Sequence, residues 1–309
     1  MKKSKKILII NSHKSSNNKP QNNLHWLNAK QIADYCNADL IWSYPTVNDD
    51  IKKDYDTIIF IHASMYSYTD YKWLEESPNA NLFYITNEYN LGEPRTLWLA
   101  VKAGRRYRVI ANHPSNASKV VQKYVDSWET VNLNSLCVNE NTYPLNRSKD
   151  KDLNKILYYG SYREGRYRYF QKYFNFENIV VSSHKKNHKK FHDLEITPKF
   201  VSRIAWDKTG LGEYGVSLYI EDEKTHTHYN YLANRFYEAL NYGVVTLFDA
   251  SCLTTIEKSG YDIGYEYIVD SVSELEEKLR DLPKFKEKWV EQAVLEKESC
   301  LKQIAEIIS

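Results

Sequence analysis

Glycine and proline are scarce in this chain, ten and eight residues in 309. That excludes collagen-like and low-complexity architectures, and it predicts short loops between many regular elements. Cysteine is scarcer still. Cys36, Cys137, Cys252 and Cys300 lie far apart and form no C-x-x-C pair. A zinc ribbon, a thioredoxin-type site and a disulfide-stapled miniprotein are excluded, which leaves free buried thiols. Charge of either sign is not in excess: 42 Lys+Arg face 40 Asp+Glu, for a net +2. A binder that relies on bulk positive charge is excluded, although a local basic groove is not. No apolar run approaches the roughly 20 residues that a membrane helix requires. The N-terminus, MKKSKKILIINSHK, starts basic, but its apolar run ILII is too short for a secretion signal. It reads as the first strand of a cytoplasmic protein.

What the chain does have is a sizeable apolar fraction, 42%, against 27% charged residues. A disordered chain is thereby ruled out, and the length suits about two domains. Tyrosine is abundant, with 26 residues. Its apolar ring and polar tip suit either half-wet packing or stacking on flat ligands.

The first half alternates strands and helices. KILIIN (6–11), DLIWSY (39–44), DTIIFIHA (56–63), NLFYIT (81–86) and RYRVIAN (106–112) read as strands. Helices are predicted near Leu24–Tyr35 and over Ser115–Trp128. Near-continuous apolar strands of this kind belong to a parallel sheet covered on both faces. Val138–Asn154, polar and without periodicity, reads as a linker, and it divides the chain into domains at 1–145 and 146–309. The pattern then restarts. KILYYGS (155–161), NIVVSS (178–183), VSLYIED (216–222), VVTLFD (244–249) and EYIVD (266–270) are strands. Helices are expected near Tyr167–Phe174, at Tyr231–Tyr242, at Ser271–Leu282 and at Lys284–Ile308, the C-terminal ones returning to the first domain. No internal repeat is found.

Four constellations carry chemistry. YGSYREGRYR (159–168) leaves the C-terminal end of a strand and enters a helix, where open α/β sheets bind ligands. Gly160 and Ser161 let backbone N–H groups approach an anion, and Arg163 and Arg166 offer forks for phosphate oxygens. It is neither a Walker loop nor a G-x-G-x-x-G fingerprint, and a solvated basic helix start is the plain alternative. The second constellation spans Val216–Asp249. Asp222 ends a strand, and Arg235 and Glu238 share one helix face, as a ribose-binding pair or a surface ion pair. In the third, TNEYNLGEPR (86–95), Glu88 follows a first-half strand and is a candidate general base, or a loop carboxylate. His62 is a second candidate base or a hydrogen-bonded core-edge histidine, and Asp70 could also reach the site. The fourth is SSHKKNHKKFH (182–192). His184, His188 and His192 have a spacing that a metal could use, but no matching carboxylate or cysteine accompanies them apart from Asp193, so no metal site is assigned. Lys185, Lys186, Lys189 and Lys190 form either a solvated loop or a phosphate-tracking edge. With Arg105, Arg106 and Arg108 of GRRYR (104–108), they place basic groups on both halves, as a polyanionic acceptor would need.

Together these pieces resemble the GT-B class of nucleotide-sugar glycosyltransferases, and within it the DNA β-glucosyltransferases of T-even bacteriophages. KDYDTIIFIHAS (53–64), NLFYITNEYNLGEP (81–94), ILYYGSYREGR (156–166) and NRFYEALNYGVVTLFD (234–249) carry the resemblance. It implies an α/β fold of two Rossmann-like parallel-sheet domains facing a cleft, with the acceptor on the first domain and the donor on the second. It also implies transfer of a sugar, glucose from UDP-glucose, to the hydroxyl of a 5-hydroxymethylpyrimidine in duplex DNA, with inversion. Glu88 stands where the family has an aspartate, and Asn87 is a rival for that position. Arg163, Arg166 and Arg235 would hold the diphosphate, Glu238 the ribose, and Asp222 occupies the acidic loop position. A monomer in the cytoplasm of an infected cell is expected; a divalent metal is compatible but not indicated. Two other readings stay open: a GT-B enzyme acting on an envelope polymer or a protein, and a DNA-binding module without catalysis. A Rossmann oxidoreductase is disfavoured because the first strand–helix turn lacks G-x-G-x-x-G.

Overall fold

The computed structural model describes residues 5–12, 24–43, 54–61, 77–87, 104–114, 119–139, 151–160, 162–173, 175–183, 185–192, 199–202 and 209–309. Glu88, Ser161, His62, Asp70, His184 and most of the expected linker lie outside them. The chain divides into two compact units, 1–136 with 297–309, and 137–296.

The first unit holds strands β1 (Ile7–Ser12), β2 (Asp39–Ser43), β3 (Thr57–Ile61), β4 (Asn81–Thr86), β5 (Tyr107–Ala111) and β6 (Val125–Thr130), with helices α1 (Leu24–Cys36) and α2 (Lys119–Gln122). The strands form one parallel sheet in the order β2-β1-β3-β4-β5-β6. The apolar runs alternate between two cores with the two-residue period of a strand. Leu8, Ile10, Ile58, Phe60, Leu82, Val109 and Ala111 pack on one face. Ile9, Ile59, Ile61, Phe83, Ile85 and Ile110 pack on the other, under Ala29, Ile32 and Ala33 of α1 and under Cys300, Leu301, Ile304 and Ile308. Both helical sets recur at helical spacing, so each offers one apolar stripe.

One expectation fails here. The helix predicted over Ser115–Trp128 is, where described, the four-residue α2 followed by strand β6, which pairs with β5. The segment VDSWET is nowhere fully buried, so it lacks the apolar signature of the inner strands. Its edge pairing and the Trp128 Nε1 bond to the His113 carbonyl (2.7 Å) fix it instead. Tertiary pairing overrides weak local preference.

The second unit holds β7 (Asp152–Tyr159), α3 (Tyr167–Tyr173), β8 (Ile179–Ser183), α4 (Lys185–His192), β9 (Lys199–Ser202), β10 (Tyr214–Tyr219), α5 (Glu223–His228), α6 (Asn234–Asn241), β11 (Val245–Asp249), α7 (Leu253–Ser259), β12 (Ile268–Val269), α8 (Val272–Arg280) and the first part of α9 (Glu287–Ile308). Its parallel sheet has the order β12-β11-β10-β7-β8-β9. Helices α4, α5 and α7 and strand β9 lie where the sequence predicts no element: the lysines of 185–190 read as a solvated loop or a phosphate-tracking edge, and the stretch after Asp222 as a polar loop. The strand order reverses between β7 and β10, the switch point where doubly wound sheets bind ligands beyond their strand ends. Much of the tyrosine is structural. The rings of Tyr158, Tyr173, Tyr219, Tyr237 and Tyr267 are fully buried. Hydroxyls reach partners as buried tyrosines require: Tyr237 and Tyr261 donate to Glu296 (2.9 and 3.1 Å), and Tyr267 to the Lys284 carbonyl (2.6 Å).

Candidate functional site

β7 and β10 lie side by side at the switch point and leave the sheet at Gly160 and at Ile220-Glu221-Asp222. The loop after β7 turns through a short 3-10 segment, Glu164–Arg166, into α3. It thereby returns Arg163 and Arg166 to the end of β10. Arg166 is 4% exposed and Glu221 1%. Charges so deeply buried are tolerable only when paired. Arg166 Nη2 meets Glu221 Oε2, and Arg235 Nη2 meets Glu221 Oε1. Arg235 also donates to the Ile220 carbonyl at 3.1 Å. Its guanidinium lies over the rings of Tyr219 (5.4 Å) and Tyr158 (5.8 Å), so two aromatic faces help hold a buried cation. Burial first, and then the nearby Arg166 charge, lowers the Arg235 pKa from its ordinary value.

Gly160 has a steric reason. A Cβ there would sit 2.7 Å from Arg235 Nη1 and 3.7 Å from Arg166 Nη1. A side chain there would collide with the Arg235 guanidinium, whereas the distance to Arg166 is ordinary contact. Arg235 Nε is buried and has no hydrogen-bond partner. A guanidinium Nη beside a glycine at the end of a strand fits an anionic group such as a diphosphate.

Glu238, one turn after Arg235 on α6, faces the same strand end. The Tyr159 hydroxyl donates to the Arg235 carbonyl and lies against the Glu238 carboxylate. Burial, and next that carboxylate, push the Tyr159 pKa well above its ordinary value. The hydroxyl therefore stays protonated and donates.

Gly160, Arg163, Arg166 and Arg235 lie together at this strand end, and Glu238 lies against Tyr159. Asp222 is beside the arginines. Its Oδ1 caps α5 by accepting from Thr225 N (3.1 Å), and its Oδ2 pairs with Arg163 (3.2 Å) and Arg166 (3.8 Å). Burial opposes ionisation there, but the arginines and the cap outweigh it and hold the carboxyl below its ordinary value. Both carboxylate oxygens of Asp222 thus have partners within the protein. Glu221 was missed. The signal was an acid pair directly after an apolar strand, of which only the second member was considered.

The basic clusters separate. Arg105 donates to the Ser77 carbonyl (3.1 Å) and to the Ala80 carbonyl, Arg106 pairs with Asp126 and donates to Lys123 O (2.7 Å), and Arg108 donates to Ser127 Oγ and Ile307 O (both 3.0 Å). These arginines flank the N-terminal end of β5, away from the strand ends where parallel sheets bind ligands. Lys185, Lys186, Lys189 and Lys190 are exposed on α4, which leaves the C-terminal end of β8. Lys190 Nζ lies 5.5 Å from the Tyr162 ring of the Gly160 loop. His188 is used internally, with Nε2 3.0 Å from Ser183 O. Among the described residues no group of three His, Cys, Asp or Glu is placed to hold a metal ion.

Neither a protein-family model nor a curated protein matches the sequence. Solved structures do match. A mutant of T4 phage BGT in complex with UDP-glucose superposes with a TM-score of 0.64 at 16% identity, over 98% of this chain and 96% of that one. T4 phage BGT in complex with UDP and Mn2+ gives 0.63 at 15%, over the same shares. This chain has the GT-B fold. The glycine loop after β7 and the Arg-x-x-Glu helix before β11 sit on the second sheet of that fold. Among the described residues no helix is long and apolar enough to cross a membrane.

Proposed function

We propose that the chain is a glycosyltransferase that moves a sugar, glucose from UDP-glucose, to the hydroxyl of a 5-hydroxymethylpyrimidine in DNA. The observation that carries this reading is the pair of Arg166, buried, and Arg235, largely enclosed, near Gly160, with Glu238 one turn on from Arg235, at the switch point of the second sheet. A diphosphate needs clustered, oriented cations, and a ribose needs a carboxylate that can accept two hydroxyls. The GT-B fold and the likeness to a T4 phage BGT bound to UDP-glucose support the donor class. In the proposed reaction Glu88 takes the acceptor proton as its oxygen attacks the anomeric carbon. The bond to the diphosphate breaks, the configuration inverts, and Arg163, Arg166 and Arg235 stabilise the charge that grows on the leaving group. A base within a duplex must be flipped out to reach such a site, at a cost of a few kcal/mol.

The deciding experiment is nucleoside mass spectrometry after incubation of the protein with hydroxymethylated DNA and a panel of nucleotide sugars. A hexose adduct on the modified pyrimidine is expected. UDP binding without any DNA adduct would move the acceptor to an envelope polymer or a protein. That second reading gains from one observation, the internal use of Arg105, Arg106 and Arg108.

Two further outcomes follow from the geometry. Glu238→Ala should weaken UDP binding, measured calorimetrically, by about 1–3 kcal/mol, the scale set by removing charged hydrogen bonds. On the acceptor side, the exposed α4 lysines are the proposed phosphate ligands. Replacing Lys185, Lys186 and Lys189 by Ala should flatten the salt dependence of DNA affinity by about 0.9 in log–log slope for each phosphate that is no longer neutralised. Fluorescence anisotropy across a salt series reads this directly. An unchanged slope would remove α4 from the acceptor surface.

A further inference from the structure

Three arginines converge on the proposed donor site, and something must hold them there. Arg166 and Arg235 approach each other at a buried strand end, where like charges repel and little water screens them. Glu221 stands between them, 1% exposed, with one carboxylate oxygen on each guanidinium. Its Oε2 is also 3.5 Å from Thr225 Oγ1, a residue of the α5 first turn that Asp222 caps. The carboxylate is thereby tied to the backbone that leaves β10. The edges of the two guanidiniums that Glu221 does not use differ in direction. Arg235 Nη1 occupies the space beside Gly160, and Arg166 Nη1 donates to the Tyr158 hydroxyl at 3.4 Å. Glu221 is therefore a rear support: it takes one Nη of each arginine and leaves an Nη of Arg235 at the glycine loop.

We propose that Glu221 is a positioning residue, which pairs with both Arg166 and Arg235 so that a diphosphate meets the Arg235 guanidinium already oriented at the glycine loop. This rests on the donor reading above. Without the bridge, repulsion drives the two cations apart, and a ligand must order them again when it binds. Pre-organisation of this kind acts on the diphosphate and not on the nucleoside. It predicts a selective loss, which general damage to the unit would not produce.

The test compares uridine with UDP, by calorimetry, for the full-length protein and for Glu221→Gln. The amide keeps the shape but carries no charge to pair with the two arginines. The ratio of the two dissociation constants should shrink by about tenfold or more, as expected when a charged hydrogen-bond partner is removed, while uridine affinity stays within error. Thermal melting checks that the variant is folded. If Glu221→Gln does not fold, Glu221→Asp, which keeps the charge but is too short to bridge, should show the same selective loss in smaller measure. An unchanged uridine-to-UDP ratio in a folded variant overturns the proposal, as does an equal loss for both ligands. Failure of the wild-type protein to bind UDP at all would instead overturn the donor reading.

Discussion

Glu88→Gln is expected to lower turnover by about 10²- to 10⁴-fold, the usual share of a general base, while UDP affinity stays unchanged. Initial rates on hydroxymethylated DNA, with calorimetry alongside, measure both. The amide keeps size and shape but cannot take a proton. Glu88 follows β4 (Asn81–Thr86) by two residues in the sequence, and parallel sheets of this class bind ligands beyond the C-terminal ends of their strands. Its rival Asn87 is tied down at the end of β4. Asn87 Nδ2 donates to Asn134 Oδ1 (3.3 Å), which also accepts from Asn112 Nδ2 (2.8 Å), and Asn112 Oδ1 accepts from Leu133 N (2.6 Å). A network of amides joins the ends of β4 and β5 and offers no proton acceptor of useful basicity. Asp70→Asn and His62→Ala are the controls. If either abolished turnover while Glu88→Gln left it near normal, the base would have to be reassigned, although the fold and the donor site would stand.

The inner strands were legible because burial on both faces writes itself as a continuous apolar run. TIIFI in β3 and VTLFD in β11 are buried at every position, and no surface element reads that way. β6 was not legible, because an edge strand half-wet on both sides carries no such run. α4 was hidden by its charge, since a helix with four exposed lysines looks like a solvated loop until Asn187 is seen to bond Ser183 Oγ (2.9 Å) and anchor its inner face. The proposed donor site rests, in the sequence, on a special residue, Gly160, and on a fixed helical spacing, that of Arg235 and Glu238. Glu221 was illegible because its role depends on two arginines from distant segments, and adjacency in sequence favoured Asp222 equally.

The basic clusters teach a directional rule. Arg105 and Arg106 precede a strand, whereas Lys185 to Lys190 follow one. In a parallel sheet these positions lie at opposite edges, and only the second is the ligand edge. Cation density along the sequence cannot distinguish them, but strand polarity can. The first cluster accordingly closes turns and an edge strand, and the second stands by the Gly160 loop.

Arg235→Ala should combine two losses that Arg163→Ala keeps apart. Arg235 is almost enclosed, its side chain 12% exposed, and it shares Glu221 with Arg166. Its removal leaves a buried carboxylate with one cationic partner, and breaking such a pair costs about 3–5 kcal/mol of stability. It also removes a preoriented donor from the leaving diphosphate, a loss of about 10²- to 10³-fold in turnover for comparable donors. Arg235→Lys should recover little of either, because an ammonium cannot span Glu221 and the Ile220 carbonyl while facing Gly160. Arg163 is 57% exposed, and its partner is the capping carboxylate Asp222. A pair open to solvent on one side contributes about 0–1 kcal/mol, so Arg163→Ala should melt close to the wild-type temperature. Its effect should fall on the KM for UDP-glucose. Thermal melts and steady-state rates on both variants decide the matter. Equal destabilisation by Arg163→Ala and Arg235→Ala would mean that burial of the Glu221 cluster does not organise this site, and the account of Gly160 as its steric condition would fall with it.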